Sequence, residues 1–240
     1  MQRDDTDRRI GYLALAIATC AAGALTVLPG LASATPGAPG IDDTTPSADV
    51  DLAALQLTSA ETVPIVKWPS DPPVELTVYK TATSPIPGAA GTSDAQCASA
   101  VYAGLDKTYD GSGYTGLNYQ ELTGFGSKNS YSVISVASSY NDEHTAANMV
   151  ANTIQNWTDC SRKKVTGDLS GSTQTRTVNN VVSTTDDIYL VNNITDDGGA
   201  CSHAMTSQGN VVVEVSACRS NIGLVKQSLQ LANKMLVKLP

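Results

Sequence analysis

Aromatic residues are scarce in this chain, which has one phenylalanine, Phe125, and two tryptophans among 240 residues. Basic clusters are missing as well. The longest basic run is Arg162-Lys163-Lys164 in a chain of net charge −8, too little to form an electrostatic footprint on nucleic acid. Nucleic-acid binding is therefore not expected. No two cysteines form a C-x-x-C pair, which argues against a zinc site or a thioredoxin-type redox centre. A G-x-S-x-G nucleophile elbow is absent, and the only histidines are His144 and His203. Ser, Thr, Asn, Gly and Ala abound instead, a mix common in exported proteins with β-rich, well-solvated surfaces.

What is present begins at the N-terminus. Met1 to Arg9 is charged and carries Arg3, Arg8 and Arg9, whereas Ile10 to Leu31 has no charge and is mostly apolar. Ala32-Ser33-Ala34 then supplies the small residues that signal peptidase requires. Residues 1–34 read as an export signal cleaved after Ala34. Two other fates compete with cleavage. Cys20 could be lipidated, although Thr19 stands where a lipobox has Gly or Ala and the apolar run continues beyond it. Ile10 to Leu31 is also about long enough to stay as a membrane anchor, against which Pro29 and the small-residue triplet count. Membrane association would thus run through the N-terminus. Residues 35–51, rich in Pro, Gly, Thr and Asp, read as a flexible tether. Residues 52–240 form the expected domain.

Removal of the signal removes Cys20 and leaves Cys97, Cys160, Cys201 and Cys218. Four cysteines in an oxidising compartment suggest two disulfides, and spacing alone permits three connectivities.

The hydrophobic pattern along the domain mixes helices and strands. Thr58-Ser59-Ala60-Glu61 reads as a capping box opening a short helix. Trp68 to Thr92 contains Pro69, Pro72, Pro73, Pro85 and Pro87, so it is expected to be loop with one strand at Val74–Tyr79. Asp94 is positioned to cap a helix over Ala95–Leu105. Tyr114–Thr123 and Ser130–Tyr140 read as strands. Asn141 is placed to cap a helix over Asp142–Asp159, whose Ala146, Met149, Val150, Ile154, Trp157 and Cys160 follow helical spacing. Strands are then expected near Thr173–Val182 and Asp187–Asn192, with a turn at Asp196-Asp197-Gly198-Gly199. Asn221 would cap a last helix with Ile222, Val225, Leu229, Ala232 and Leu236 on one stripe.

Cys201–Gln208 and Val211–Cys218 read as a hairpin around Gly209-Asn210. If that pair is a two-residue turn, Gln208 faces Val211 and the numbers of facing residues share one sum, which puts Cys201 opposite Cys218 at a non-hydrogen-bonded pair. That spacing is within disulfide reach. Val211, Val213, Val215 and Ala217 then share a face with Ala204. Cys201–Cys218 follows from this register, and Cys97–Cys160 is the remaining pair.

Trp157-Thr158-Asp159-Cys160, the later run ACSHAMTSQGNVVVEVSACRSN from Ala200 to Asn221, and a closing amphipathic helix ending Lys238-Leu239-Pro240 together resemble the PknH-like extracellular sensor domain family. Its members are the sensor domain of a mycobacterial Ser/Thr kinase and stand-alone exported or lipoprotein relatives of actinobacteria. The resemblance covers roughly residues 52–240. It implies an α+β domain with an antiparallel sheet, two disulfides joining neighbouring cysteines in order, and a cleft for a ligand. The implied disulfide order agrees with the hairpin register. Kinase signatures are absent: no Gly-rich loop precedes a strand lysine, and neither HRD nor DFG occurs.

Several patterns weakly suggest chemistry. Ser161-Arg162-Lys163-Lys164 fits S-x-x-K and Ser139-Tyr140-Asn141 fits S-x-N, but in reversed order and with no K-T-G. Asp106 to Gly111 opens like a calcium loop, yet its twelfth position is Leu117. His203 and Glu214 are diagonal neighbours in the hairpin and could do acid–base work, although no nucleophile accompanies them. A structural or surface role is the plainer reading of each. Tyr140, Trp157 and His203 are the candidate ligand contacts, with Trp157 also suited to the core.

These readings converge on one α+β domain in which an antiparallel sheet packs with helices and two disulfides. The expected protein is exported to the cell envelope or beyond and binds a ligand without catalytic residues, cofactor or metal. Its partner would be an extracellular small molecule, lipid or glycan, or an envelope protein. A serine-dependent envelope hydrolase and a purely structural surface protein are the alternatives.

Overall fold

The computed structural model describes residues 50–67, 71–88, 92–126, 129–169, 172–184, 188–196, 198–220 and 226–240. The expected export signal, Cys20, nearly all of the tether and the Asn221 cap lie outside these residues.

Helix α1 spans Ser59–Val66, strand β1 Thr77–Ala82, and two single-turn helices follow, α2 at Ala98–Val101 and α3 at Asp106–Tyr109. Strands β2 (Gly116–Phe125) and β3 (Ser130–Ser139) lead into the long helix α4 (Glu143–Asp159). Then come β4 (Lys164–Leu169), β5 (Ser172–Val178), β6 (Val182–Ser183), β7 (Tyr189–Thr195), β8 (Ala200–Gln208), β9 (Val211–Arg219) and helix α5 (Gln227–Leu236). All nine strands join one sheet in the order β1-β2-β3-β9-β8-β7-β5-β4, with β6 beside β7. Every pairing is antiparallel. This is the α+β architecture expected from the sequence.

The central hairpin has the register expected of its turn. Gly209 takes φ 55°, a backbone conformation that two-residue hairpin turns assign to glycine. Gln208 faces Val211 and Cys201 faces Cys218. The two cysteines are bonded with Cα atoms 4.0 Å apart, and Cys97 is bonded to Cys160. Because side chains alternate along a strand, this register divides the core in two. Val211, Val213, Val215, Ala217 and Ala204 pack with Leu231, Ala232 and Met235 of α5 on one face. On the other face Met205 and Val212 meet Met149, Val150 and Trp157 of α4 and Val101 of α2.

Local signals account for the helix starts. Thr58 and Glu61 form the reciprocal capping box of α1. At α4 the cap is Asp142 rather than Asn141, its carboxylate accepting from the Thr145 amide at 2.7 Å. A cap of this kind stabilises a helix by about 1 kcal/mol. It also holds the Asp142 carboxyl below its ordinary range.

The expected helix over Ala95–Leu105 is reduced to the single turn α2, and α3 begins only after Leu105. Asp94 does not cap α2: its carboxylate accepts from Gln96 N at 3.1 Å and Cys97 N at 3.2 Å in the preceding turn, and the N-cap of α2 is Cys97. The backbone beyond it is claimed by side chains of the sheet. Ala100 O accepts from Asn193 Nδ2 at 2.8 Å, Val101 O accepts from Arg176 at 2.7 Å, and Gly104 N donates to Glu214 at 3.0 Å. These buried bonds replace the helical ladder. Gly104 adopts φ 75° and lies against the Tyr119 ring, where a Cβ would come within 2.8 Å of it.

Three other boundaries differ from expectation. Strand β1 begins at Thr77 because Val74 and Leu76 are drawn into the core beneath α1. Strand β4 was not expected at all, since Gly167 and Asp168 lower its strand propensity; Gly167 lies where a Cβ would be 2.9 Å from the Tyr102 hydroxyl. In α5 the buried positions are Ser228, Leu231, Ala232 and Met235; of the expected stripe Ile222 and Val225 lie outside the described residues, and the remainder, Leu229, Ala232 and Leu236, is rotated. Leu229 and Leu236 flank the buried line and remain partly buried.

Candidate functional site

The helical layer of α2–α4 covers only part of its sheet face. Where it stops, the ends of β2 and β9 and the starts of β3 and β8 are left as the floor of a cleft. Its volume is about 420 Å³, within the range of small-ligand sites. The register decides what the floor presents. Glu121 faces Ile134, Thr123 faces Ser132 and Phe125 faces Ser130. Ser132 in turn faces Cys218, which faces Cys201. The Cys201–Cys218 disulfide therefore lies in the floor itself.

The walls come from distant parts of the chain. Tyr102 and Arg176 close one side, while Tyr131 and Arg219 border the floor through β3 and β9, their side chains turned to the α5 side of the sheet. The Arg176 guanidinium stacks 4.8 Å from the Tyr102 ring centroid. It donates to Val101 O at 2.7 Å and to Gln174 Oε1 at 3.1 Å. Arg219 pairs with Asp71 at 2.6 Å and lies over the Tyr131 ring. Tyr131 and Asn129 also donate to Asp71, which fastens the proline-rich segment beside the cleft.

Glu121 is the carboxylate on the floor. Desolvation raises its carboxyl above the ordinary range, opposed by the Tyr119 hydroxyl, Lys80 and Ser132. Tyr119 donates to Glu121 Oε2 at 3.2 Å. Its phenol is pushed well above the usual tyrosine range, first by burial and then by the Glu121 charge. Phe125 stands on the rim, 84 % exposed.

Tyr140, Trp157 and His203, the candidate contacts read from the sequence, lie elsewhere. All three are buried, at 2 %, 0 % and 0 % exposure, and none lines the cleft. Trp157 and His203 sit tilted together with ring centroids 4.3 Å apart. His203 Nε2 is 2.9 Å from Glu214 Oε1, and its Nδ1 faces Ala100 O at 3.4 Å. Glu214 Oε2 accepts from Tyr109 at 2.7 Å and from Gly104 N at 3.0 Å. Burial and the Glu214 charge raise the Tyr109 phenol well above its ordinary range. A substrate has no access to this pair, which binds β8, β9, α3 and the segment after α2 into one unit. Tyr140 is enclosed near Ser112 and Ser138, and its carbonyl accepts from Asn210 at 2.8 Å. The β3–α4 junction thus packs on the hairpin tip instead of opening to solvent.

The remaining motifs separate in space. Lys163 pairs with Asp94 and Lys164 with Asp196, so neither lysine bonds Ser161. The Ser139 hydroxyl meets that of Thr115 at 3.1 Å. Asp106 opens α3, whereas Leu117 lies in β2, so the calcium-like spacing spans two elements. His144 is exposed in the first turn of α4. Among the described residues, no three His, Cys, Asp or Glu side chains gather to hold a metal ion.

The cleft residues were missed at the sequence level, although one signal marks them. Leu122, Tyr131 and Val133 point to the α5 side of the sheet, while the intervening Glu121, Thr123, Ser130 and Ser132 are polar. That period-2 alternation identifies a solvated end of an otherwise covered face. Nothing local marks Tyr102 or Arg176.

A family model described as the PknH-like extracellular domain matches residues 47–238. Curated serine/threonine-protein kinases PknH of Mycobacterium bovis and Mycobacterium tuberculosis are 28 % identical over 194 residues, which is 80 % of this chain. The aligned part is 31 % and 30 % of those two kinases, so the chain spans less than a third of their length. The crystal structure of the extracellular domain of PknH from Mycobacterium tuberculosis superposes with a TM-score of 0.70 at 27 % identity. That match covers 80 % of this chain and 96 % of the other.

Proposed function

The chain belongs to the PknH-like extracellular domain family, and from that premise we propose that it is an exported, ligand-binding envelope domain without catalytic groups of its own. One observation supports this reading above the others: the cleft of about 420 Å³ left open at the end of the sheet. Its floor is fixed by nine antiparallel strands and a disulfide, so it is preformed, as binding sites usually are. Its ionic groups are occupied within the protein. Arg219 is held by Asp71, and Arg176 donates to Val101 O and Gln174. The cleft has hydroxyls, yet no histidine or lysine lines it to activate them. A signal raised by the ligand leaves through a partner protein, or the domain carries the ligand itself.

Native mass spectrometry of the protein purified from its natural envelope tests this reading. The expected result is a reproducible bound molecule that is lost when Ser132→Trp fills the floor. A ligand-free mass in every preparation, from protein with both disulfides formed, would overturn it in favour of a structural role.

A further inference from the structure

We infer that the cleft takes a neutral saccharide, which it recognises through ring faces and hydroxyl groups and not through charge. The inference rests on the cleft being the binding site and names the class of its ligand. Three observations carry it.

The first is charge. Arg219 is 3 % exposed and its guanidinium is 2.6 Å from Asp71. Arg176 is 8 % exposed and already donates to Val101 O and Gln174 Oε1. Glu121 has Lys80 directly opposite in the adjacent strand. Arg219 is thus neutralised by Asp71, Glu121 has a cation facing it in register, and the Arg176 guanidinium is held by neutral acceptors. An anionic ligand would have to displace Asp71 or approach Glu121, and a cationic one would have to displace Lys80. Desolvation already raises the Glu121 carboxyl, so burying a further charge beside it is disfavoured.

The second is the hydroxyl-rich floor. Thr123, Ser130, Ser132 and Ser216 project from three adjacent strands on one face. A hydroxyl both donates and accepts, and a row of hydroxyls suits a ligand that is itself polyhydroxylated. A lipid chain would bury these groups without compensation, which is costly.

The third is Phe125. It is the only phenylalanine of the chain, and it is 84 % exposed on the rim. A sugar ring has one apolar C–H face and a polar edge. Stacked on Phe125, it would cover the aromatic face while its edge reached the hydroxyls of β3 and β9.

The test titrates the full exported chain with size-matched sets: neutral oligosaccharides, uronate-bearing and phosphorylated oligosaccharides, and peptides of either charge. Calorimetry at low and high salt reads the affinity. The expected result is binding of a neutral saccharide that changes less than twofold with salt, since no ion pair is screened. Phe125→Ala should weaken it about tenfold, and Ser132→Trp should abolish it. If Ser132→Trp does not fold, Phe125→Ala, at an exposed position, carries the test alone. Binding of a charged peptide or anionic glycan that Ser132→Trp abolishes would overturn the saccharide assignment and leave the cleft as the site. Saccharide binding that neither substitution affects would overturn it too. Absence of any saccharide binding at millimolar concentration would do the same, with the co-purification experiment still deciding whether the cleft is used.

Discussion

Nε2 of His203 lies 2.9 Å from Oε1 of Glu214, and both side chains are fully buried. The carboxylate is shared with the Tyr109 hydroxyl and the Gly104 amide, so one side chain satisfies three buried donors. Buried polar groups are costly without a partner and rigid with one. The pair is therefore a buried tie between β8, β9, α3 and the segment after α2.

Glu214→Ala should destabilise the domain by about 3–5 kcal/mol, the usual cost of removing one member of a buried pair. Glu214→Gln should cost less, about 1–3 kcal/mol, because an amide keeps one acceptor but turns N–H groups toward donors. Urea denaturation of the two variants checks both the sign and the order.

Gly104→Ala should destabilise by about 1–3 kcal/mol, combining a left-handed backbone at φ 75° with overpacking. The new methyl would press on the Tyr119 ring at 2.8 Å and so on the cleft floor. Loss of stability together with shifted Tyr119 ring signals in NMR spectra is the expected outcome.

The two disulfides should differ in worth. Cys97–Cys160 closes a separation of 63 residues and Cys201–Cys218 one of 17. Loop-closure entropy assigns them about 4 and about 3 kcal/mol respectively. Paired Ala variants measured in urea should show the larger loss for Cys97/Cys160, and the reverse order would show that the floor of the sheet depends on the hairpin bond.

Carboxyl groups should act on stability in opposite directions with pH. Glu61 is held below its ordinary range, first by the Thr58 amide and then by the Thr58 hydroxyl and Lys238. Its stabilisation is present above the unfolded carboxylate value and lost as pH falls through the lower folded value. Glu121 is raised by desolvation. Its contribution is fully present below the ordinary carboxylate value and lost as pH rises through the higher folded one. Glu121→Gln should thus be more stable than the parent at neutral pH, with the difference vanishing toward about pH 4. Denaturation midpoints across that range measure it.

Phe125→Ala should leave stability within about 0.5 kcal/mol of the parent, since the ring is 84 % exposed. A thermal melt matching the parent, beside an altered ligand response, would separate binding from folding at this residue.

The sequence by itself determined the hairpin and, through it, much of the molecule. Gly209 sets the turn, the turn sets the register, and the register puts Cys201 opposite Cys218 and the valines of β9 on one face. The capping box at Thr58 and Glu61 and the helical spacing of α4 are equally local, because each depends on residues within one or two turns of one another. The cleft was decided only in three dimensions. Tyr102, Glu121, Arg176 and Cys218 reach it from separate elements, and its opening exists because the helical layer ends before the sheet does. The same is true of the broken helix after Asp94, where Asn193, Arg176 and Glu214 take over backbone groups about a hundred residues earlier in the chain. Tyr140, Trp157 and His203 carry chemistry suited to a ligand, but packing turned them inward. Propensity and periodicity act over a few residues, whereas burial is a property of every layer stacked on a residue, and that is known only once the chain has folded.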